Sequence, residues 1–408
     1  MYDAIIVGAR CAGSPTAMLL ARKGYRVLLL DKAGFPSDTL SAHYIHQPGV
    51  AKLHRWGLLD KVVASGCPAI ERQVFDVGPF ALTGSPPPAD GITAGYAPRR
   101  TILDKILLDA AIDTGVEVRE HFSVEELVTD RERVKGIRGR SQGGSLVQEE
   151  ARITVGAEGV RSVVARMVGA PEYNEQPATT CAYYAYWSDV PMHAAELYPR
   201  QERMLIAAPT NDGLTMIIAY WPVTSFPQVR ADIEGHFKQA LDMVPSLAER
   251  VRAGARAEKF RGSADLRGFF RRPYGPGWAL VGDAGYHKDP ITAQGMTDAF
   301  RDAELLGDAI DDTFSGRSSN EDALAGYEQK RNEAVMPIYQ MTCDLAKLEP
   351  PPPDMQSLFA ALRDNEEQSG RFMGTIAGTV PIPEFFSPDN IGRVIGLRPL
   401  KGKNLSSN

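Results

Sequence analysis

Unbroken apolar runs, not alternating ones, open the chain. Residues 2–7 (Tyr-Asp-Ala-Ile-Ile-Val) offer no polar face after Asp3, as expected of a strand buried on both sides of a parallel sheet. Residues 14–23 carry apolar positions at helical spacing, and a second apolar run at 25–30 predicts another strand. Strand, turn, helix and strand make a βαβ unit. A long connection over 33–48, rich in turn formers and hydroxyls, precedes a helix from about 49 to 56; ordered loops of this kind often face a ligand. Strands and turns fill 74–96, with Pro86-Pro87-Pro88 as punctuation. A helix follows from Arg100 to Thr114, stopped by Gly115, then a strand at 116–119 and a charged hairpin region to about 153. Aromatic and β-branched segments at 182–187 and 214–221 predict an antiparallel sheet across 179–222. Helical spacing covers about 233–243, an apolar strand returns at 278–281, and a long helix spans 321–348. Four prolines at 350–353 separate that helix from a tail that reads as partly helical and then irregular.

This order predicts an α/β protein with a Rossmann-like nucleotide domain, an inserted antiparallel-sheet substrate domain and C-terminal helices. The nucleotide domain is discontinuous, over 1–75, 98–165 and 275–320. The substrate domain takes 76–97 and 166–274, and the helical region 321–408. A length of 408 residues with 43% hydrophobic composition allows two such joined domains. A net charge of −6 spread over this length implies no nucleic-acid or membrane partner and a small-molecule substrate. With a strand starting at residue 2 and no apolar stretch of spanning length, the reading is a cytoplasmic protein. Cys11, Cys67, Cys181 and Cys343 are scattered, so reduced thiols are expected, with neither a disulfide framework nor a metal site.

Two motifs carry the chemistry. Gly8-Ala9-Arg10-Cys11-Ala12-Gly13 joins the first strand to its helix, aiming unpaired N–H groups and a positive helix end at a pyrophosphate. Arg10 stands where a second glycine is usual, so its side chain must turn away, either to reach a phosphate oxygen or to cover the loop. Cys11 reads as a small filler or as a thiol activated by the helix end. Asp31, with Lys32 beside it, ends the second strand at the ribose position. Far downstream, residues 278–281 run into Gly282-Asp283-Ala284-Gly285, and a helix begins at Gln294-Gly295-Met296. Free amides at Gly295 and Met296 suit the anionic pyrimidine edge of a reduced flavin, and Asp283 suits a ribityl hydroxyl or caps its own turn. The pair of motifs therefore points to FAD.

Together with Arg100, Leu103, Leu107 and Gly156-Ala157-Glu158-Gly159-Val160-Arg161-Ser162, these motifs resemble the flavin monooxygenases of the p-hydroxybenzoate hydroxylase-like superfamily, which includes geranylgeranyl reductases and flavin halogenases. The resemblance covers roughly residues 1–320. It implies that Arg100 approaches the flavin phosphate or ribityl region, that the Val124 backbone meets the adenine, and that Pro290 and the loop to Met296 lie along the isoalloxazine. Glu158 replaces the family's Asp, one methylene longer, which shifts its contacts toward Arg161 and the pyrophosphate. Arginines found near the flavin in many aromatic hydroxylases are replaced by His43 and His46, and the expected His after Gly-Asp is Tyr286, with His287 one position on. Tyr186-Trp187-Ser188-Asp189-Val190-Pro191 lacks the halogenase Trp-x-Trp-x-Ile-Pro signature, which argues against halogenation.

The resemblance implies a monooxygenase in which NAD(P)H transiently reduces the flavin, O2 adds at ring carbon C4a, and the resulting hydroperoxide hydroxylates a small aromatic substrate. His43, His46 and His287 are candidate bases, each equally readable as a structural hydrogen-bonder. The aromatic stripe Tyr183, Tyr184, Tyr186, Trp187, Tyr220 and Trp221 can put only half its members into a pocket, because side chains alternate along a strand. No second glycine-rich unit for NAD(P)H is visible. Two other functions fit the same residues: reduction of a C=C bond without oxygen, and non-catalytic flavin binding by a redox protein. The assembly reads as a monomer or homodimer.

Overall fold

A computed structural model describes residues 1–396. The apolar runs form the middle of a parallel sheet. Tyr2–Val7 pairs with Val27–Leu30 on one side and Val147–Gly156 on the other, and Glu117–Arg119 and Trp278–Leu280 extend the parallel order outward. Both faces are covered. Ala4 and Ile6 pack with Met18 and Leu20 of the helix Gly13–Arg22, Leu107 of Arg100–Asp113 and Phe300 of Gly295–Phe314. Ile5 and Val7 point the other way, against Phe122, Ile137 and Val164. The charged hairpin of the sequence is the cover of this second face: Phe122–Asp130 pairs with Arg133–Ser141, which pairs in turn with the start of Val147–Gly156 before that strand enters the parallel sheet.

At the first turn the helix sits directly on the strand end. A Cβ on Gly13 would stand 1.7 Å from the Gly8 carbonyl oxygen, so no larger residue fits without moving backbone.

The second large sheet runs in the order Ala255–Arg256, Thr180–Ser188, Thr215–Pro222, Arg203–Pro209, Ala195–Arg200, Gln73–Asp76, Ala81–Gly84. It is antiparallel except where Ala195–Arg200 meets Gln73–Asp76. Register sorts the aromatic stripe into two layers. Tyr183, Trp187 and Trp221 face the helices Ile233–Asp242 and Pro245–Ala253, packing on Phe237 and Leu247. Tyr184, Tyr186 and Tyr220 face the opposite way, with Met216, Ile218 and Ile291. Glu172–Gln176, Gly268–Arg271 and Tyr286–His287 form a separate three-stranded sheet.

The C-terminal region is more helical than its sequence suggests, with helices at Pro353–Leu362, Glu366–Ala377, Ile382–Phe385 and Pro388–Val394. Prolines begin three of these helices instead of breaking them: Pro353, Pro383 and Pro388 occupy first-turn positions, where a missing N–H costs no hydrogen bond. Leu358, Phe359, Phe372 and Phe385 cover Phe75, Leu82 and Leu197 of the antiparallel sheet, so the apolar faces of these helices are occupied within the chain.

Candidate functional site

A cavity of about 790 Å³ runs between the two large sheets. Gly8, Asp31, Lys32 and Val124 line one end, Arg100 and Asp283 the middle, and Pro290, Gly295 and Met296 the stretch that opens beneath Ala182, Tyr184, Ile218 and Tyr220. The two glycine motifs meet directly. Gly282 adopts φ 61°, and a Cβ there would come within 2.8 Å of the Ala12 side chain. A bulkier residue at 282 would push the two halves of the cavity wall apart.

Charge at the turn is organised by Asp104, a fully buried carboxylate on the helix Arg100–Asp113. Arg10 Nη1 donates to it at 2.6 Å, Arg100 Nε and Nη2 at 3.0 and 2.9 Å, and the Cys11 thiol at 3.3 Å. Two guanidiniums share one carboxylate, so a positive charge remains beside the turn, suited to a pyrophosphate. Arg10 also donates to the Ser37 carbonyl and hydroxyl and lies over the Phe35 ring, so it covers the loop. The Cys11 thiol is buried, and desolvation drives its pKa far up, which makes it the filler and not an activated nucleophile. Asp31 accepts the amides of Ala9 at 2.7 Å and Ala33 at 2.8 Å, fixing the strand end that carries it.

Around the second motif, Asp283 faces the start of the helix Gly295–Phe314, with its Oδ1 3.9 Å from where a Cβ on Gly295 would stand. The space at Gly295 is otherwise open, which leaves the helix end approachable. A buried charge network anchors that helix: Lys288 pairs with Asp298 and donates to the Tyr286 hydroxyl, and Arg301 bridges Asp298 and Asp302 at 2.7 Å each. Asp289 lies on the cavity wall, accepting from the Thr180 hydroxyl and the Ile291 amide, and burial pushes its carboxyl up to about 6.

The three histidines differ. His43 is fully buried at φ 58°, with Nδ1 2.7 Å from the Ser41 carbonyl and Nε2 2.7 Å from the Tyr186 hydroxyl. A carbonyl only accepts, so Nδ1 carries the proton and Nε2 accepts from Tyr186. Burial lowers the His43 pKa to about 4, keeping the ring neutral. His287 lines the cavity, stacks on Phe269 and holds the Arg267 carbonyl at 2.6 Å through Nδ1. His46 does not line it. Its Nε2 donates to the Thr292 carbonyl at 3.0 Å, and burial lowers its pKa to about 4, so it is a structural residue and not a base facing the cavity.

Other expectations need correction for equally local reasons. Glu158 makes no contact with Arg161. Its longer side chain reaches the helix Val163–Met167, accepting from the Ser162 hydroxyl and the amides of Val163 and Val164, where a carboxylate favours the positive helix end. Arg161 extends into solvent and pairs with Asp265 at 2.9 Å. The Gln294 side chain leaves the cavity to donate to the Ile376 carbonyl. Gly13 and Gly282 act through close packing and do not line the wall. Asp104 escaped the sequence reading, although an Arg and an Asp four residues apart on the buried, leucine-rich side of a helix were its signal.

Asp104→Ala leaves Arg10 and Arg100 without their shared anion and should lower unfolding free energy by about 3–5 kcal/mol in denaturant titration. A loss below about 1 kcal/mol would show that the cluster does not hold the turn to the helix. His46 generates a pH dependence. The unfolded chain takes up its proton near 6.5 and the folded chain only near 4, so stability is complete above pH 6.5 and falls as pH drops toward 4. This group contributes about 3 kcal/mol across that window. His46→Gln, which keeps the donor to Thr292, should flatten the acid limb of the stability profile, and an unchanged slope would contradict the assignment.

Comparison with known proteins accounts for this architecture. The model of the FAD binding domain family matches residues 1–342. Digeranylgeranylglycerophospholipid reductase 1 of Methanopyrus kandleri is 23% identical over 377 residues, covering 86% of this chain and 91% of that protein. Kynurenine 3-monooxygenase of Salinispora arenicola is 26% identical over 362 residues, covering 80% and 75%. The solved structure of the myxobacterial chondrochloren halogenase superposes with a TM-score of 0.79 at 24% identity, covering 97% and 96%. Among the described residues no helix is long and apolar enough to cross a membrane, and no cluster of side chains suits a metal ion. The cradle of Gly8–Gly13, the surplus cation at Asp104 and the open helix end at Gly295 fit a dinucleotide with a second, ring-bearing half. The chain belongs to the FAD binding domain family and is an FAD-dependent oxidoreductase with the fold of the p-hydroxybenzoate hydroxylase-like flavoproteins.

Proposed function

We propose that the chain is a monooxygenase that takes reducing equivalents from NADH or NADPH and uses O2 to hydroxylate a small aromatic substrate. The observation that carries this reading is the continuity of the cavity: the channel from Gly8 to Met296 and the apolar chamber under Ala182, Tyr184, Ile218 and Tyr220 are one space. A substrate there has no protein wall between it and the cofactor. In this reading Asp31, Lys32 and Val124 hold the adenosine, the 8–13 turn with Arg100 holds the pyrophosphate, and Asp283 holds the ribityl chain. The amides of Gly295 and Met296 hold the pyrimidine edge, with Pro290 along the ring. The nucleotide domain is then 1–75, 98–165 and 275–320, joined to a substrate domain of 76–97 and 166–274 and a helical region of 321–408.

When bound, FAD supplies the redox chemistry, accepting two electrons from the nicotinamide and passing them to oxygen. The protein's own share is orientation, exclusion of water and proton handling. The buried face of the antiparallel sheet dries the chamber. Asp289, with its carboxyl near 6, can hold or release a proton on the chamber wall at neutral pH. His43 keeps the Tyr186 hydroxyl fixed through Nε2 and acts as an orienting partner.

A second reading, reduction of a C=C bond without oxygen, draws on the Methanopyrus kandleri reductase that aligns with 86% of the chain. The two part on oxygen. Anaerobic reduction of the FAD-loaded protein by NADH or NADPH, then mixing with 18O2 and aromatic test compounds, should give a product carrying one heavy oxygen. Turnover of a double bond with no oxygen uptake would favour the second reading, and failure of both nicotinamides to reduce the flavin would remove the first. Asp283→Ala should purify largely colourless; full flavin occupancy in that variant would overturn its assigned contact.

A further inference from the structure

We infer that the chamber beneath the antiparallel sheet selects an uncharged aromatic molecule bearing one hydrogen-bond acceptor, and that the Tyr184 hydroxyl is the donor that recognises it. This rests on the reading above, in which the chamber is the substrate end of the cavity.

Tyr184 is only 5% exposed and lines the cavity, yet its hydroxyl is buried with no hydrogen-bond partner among the described residues. The neighbouring phenol on the same face, Tyr186, is satisfied by His43. A sealed hydroxyl without a partner is costly, so a small turn of the Tyr184 ring that brings it to an acceptor arriving with a ligand gains a bond that water does not already provide. Burial raises the Tyr184 phenol to about 12, so it arrives as a donor.

The charges on the wall define the rest of the selection. Lys288 is taken by Asp298 and Arg161 by Asp265, while Arg10 and Arg100 share Asp104 and direct their surplus charge to the pyrophosphate site at the glycine turn. His43 is neutral, with both ring nitrogens engaged. A carboxylate under the antiparallel sheet would therefore shed its hydration away from the surplus charge at the turn and from Lys32 beside it, while Asp289 on the same wall is anionic above about pH 6 and repels it. Ala182 and Ile218 supply apolar walls for a ring.

Three compounds of matched size separate these features: acetophenone, neutral with an acceptor; cumene, neutral without one; and benzoate, an anion. Each is titrated into the FAD-loaded protein at pH 7.5, with binding read by calorimetry and by the flavin difference spectrum. Acetophenone should bind at least about tenfold more tightly than benzoate. Tyr184→Phe should weaken acetophenone about tenfold while leaving cumene within about twofold. Benzoate binding as tightly as acetophenone, equal losses for acetophenone and cumene in Tyr184→Phe, or no binding by acetophenone at all would each overturn the inference. Flavin content, measured first, keeps the two readings apart: an empty protein would refute the cofactor site, whereas a loaded protein with the reversed ligand order would refute only this selection.

Discussion

A carboxylate sealed from water between two guanidiniums is the interaction on which the cavity depends. Asp104 has no exposure, so its charge is tolerable only because Arg10 and Arg100 both reach it. Those arginines come from different elements, the glycine turn and the helix Arg100–Asp113, and the shared anion fixes one to the other. The same arrangement leaves surplus positive charge where a pyrophosphate is to sit. Structure and binding electrostatics thus come from one cluster.

Backbone proximity completes what the charges begin. Gly13 sits against the Gly8 carbonyl and Gly282 against Ala12, so two stretches far apart in sequence share one wall. Side chains then set the character of each end: cations and carboxylates near the turn, tyrosines and aliphatics under the antiparallel sheet. The polar end suits a cofactor with fixed charges, and the drier end a reaction from which water must be kept.

Much of the fold was legible because it rests on local rules. The apolar runs at 2–7 and 25–30, the glycine turn and the helix from Arg100 are short-range patterns, and their elements lie within a few residues of expectation. Alternation along Thr180–Ser188 explains why half the aromatic stripe faces the cavity. Long-range choices were not legible. Whether Glu158 turned toward Arg161 or toward the next helix depended on one methylene and on the amides of Val163 and Val164 being free to receive it. His46 and Gln294 sit beside the cavity in sequence but turn to backbone carbonyls at Thr292 and Ile376, partners that only the assembled fold provides. Asp104 looked like an ordinary polar residue until the turn folded onto it.

The position of Trp278–Leu280 at the margin of the parallel sheet has a consequence for biosynthesis. The strand that delivers Gly282 and Asp283 is added to Val147–Gly156, after the glycine turn, its Asp104 anchor and the strands beside it have been synthesised. On a ribosome adding about 5–20 residues per second, the glycine turn waits on the order of tens of seconds for its counterpart to emerge. Until then it has no opposing wall, so tight capture of the whole dinucleotide is a late event in maturation, and scarcity of the cofactor would be felt only by chains extended past the second motif.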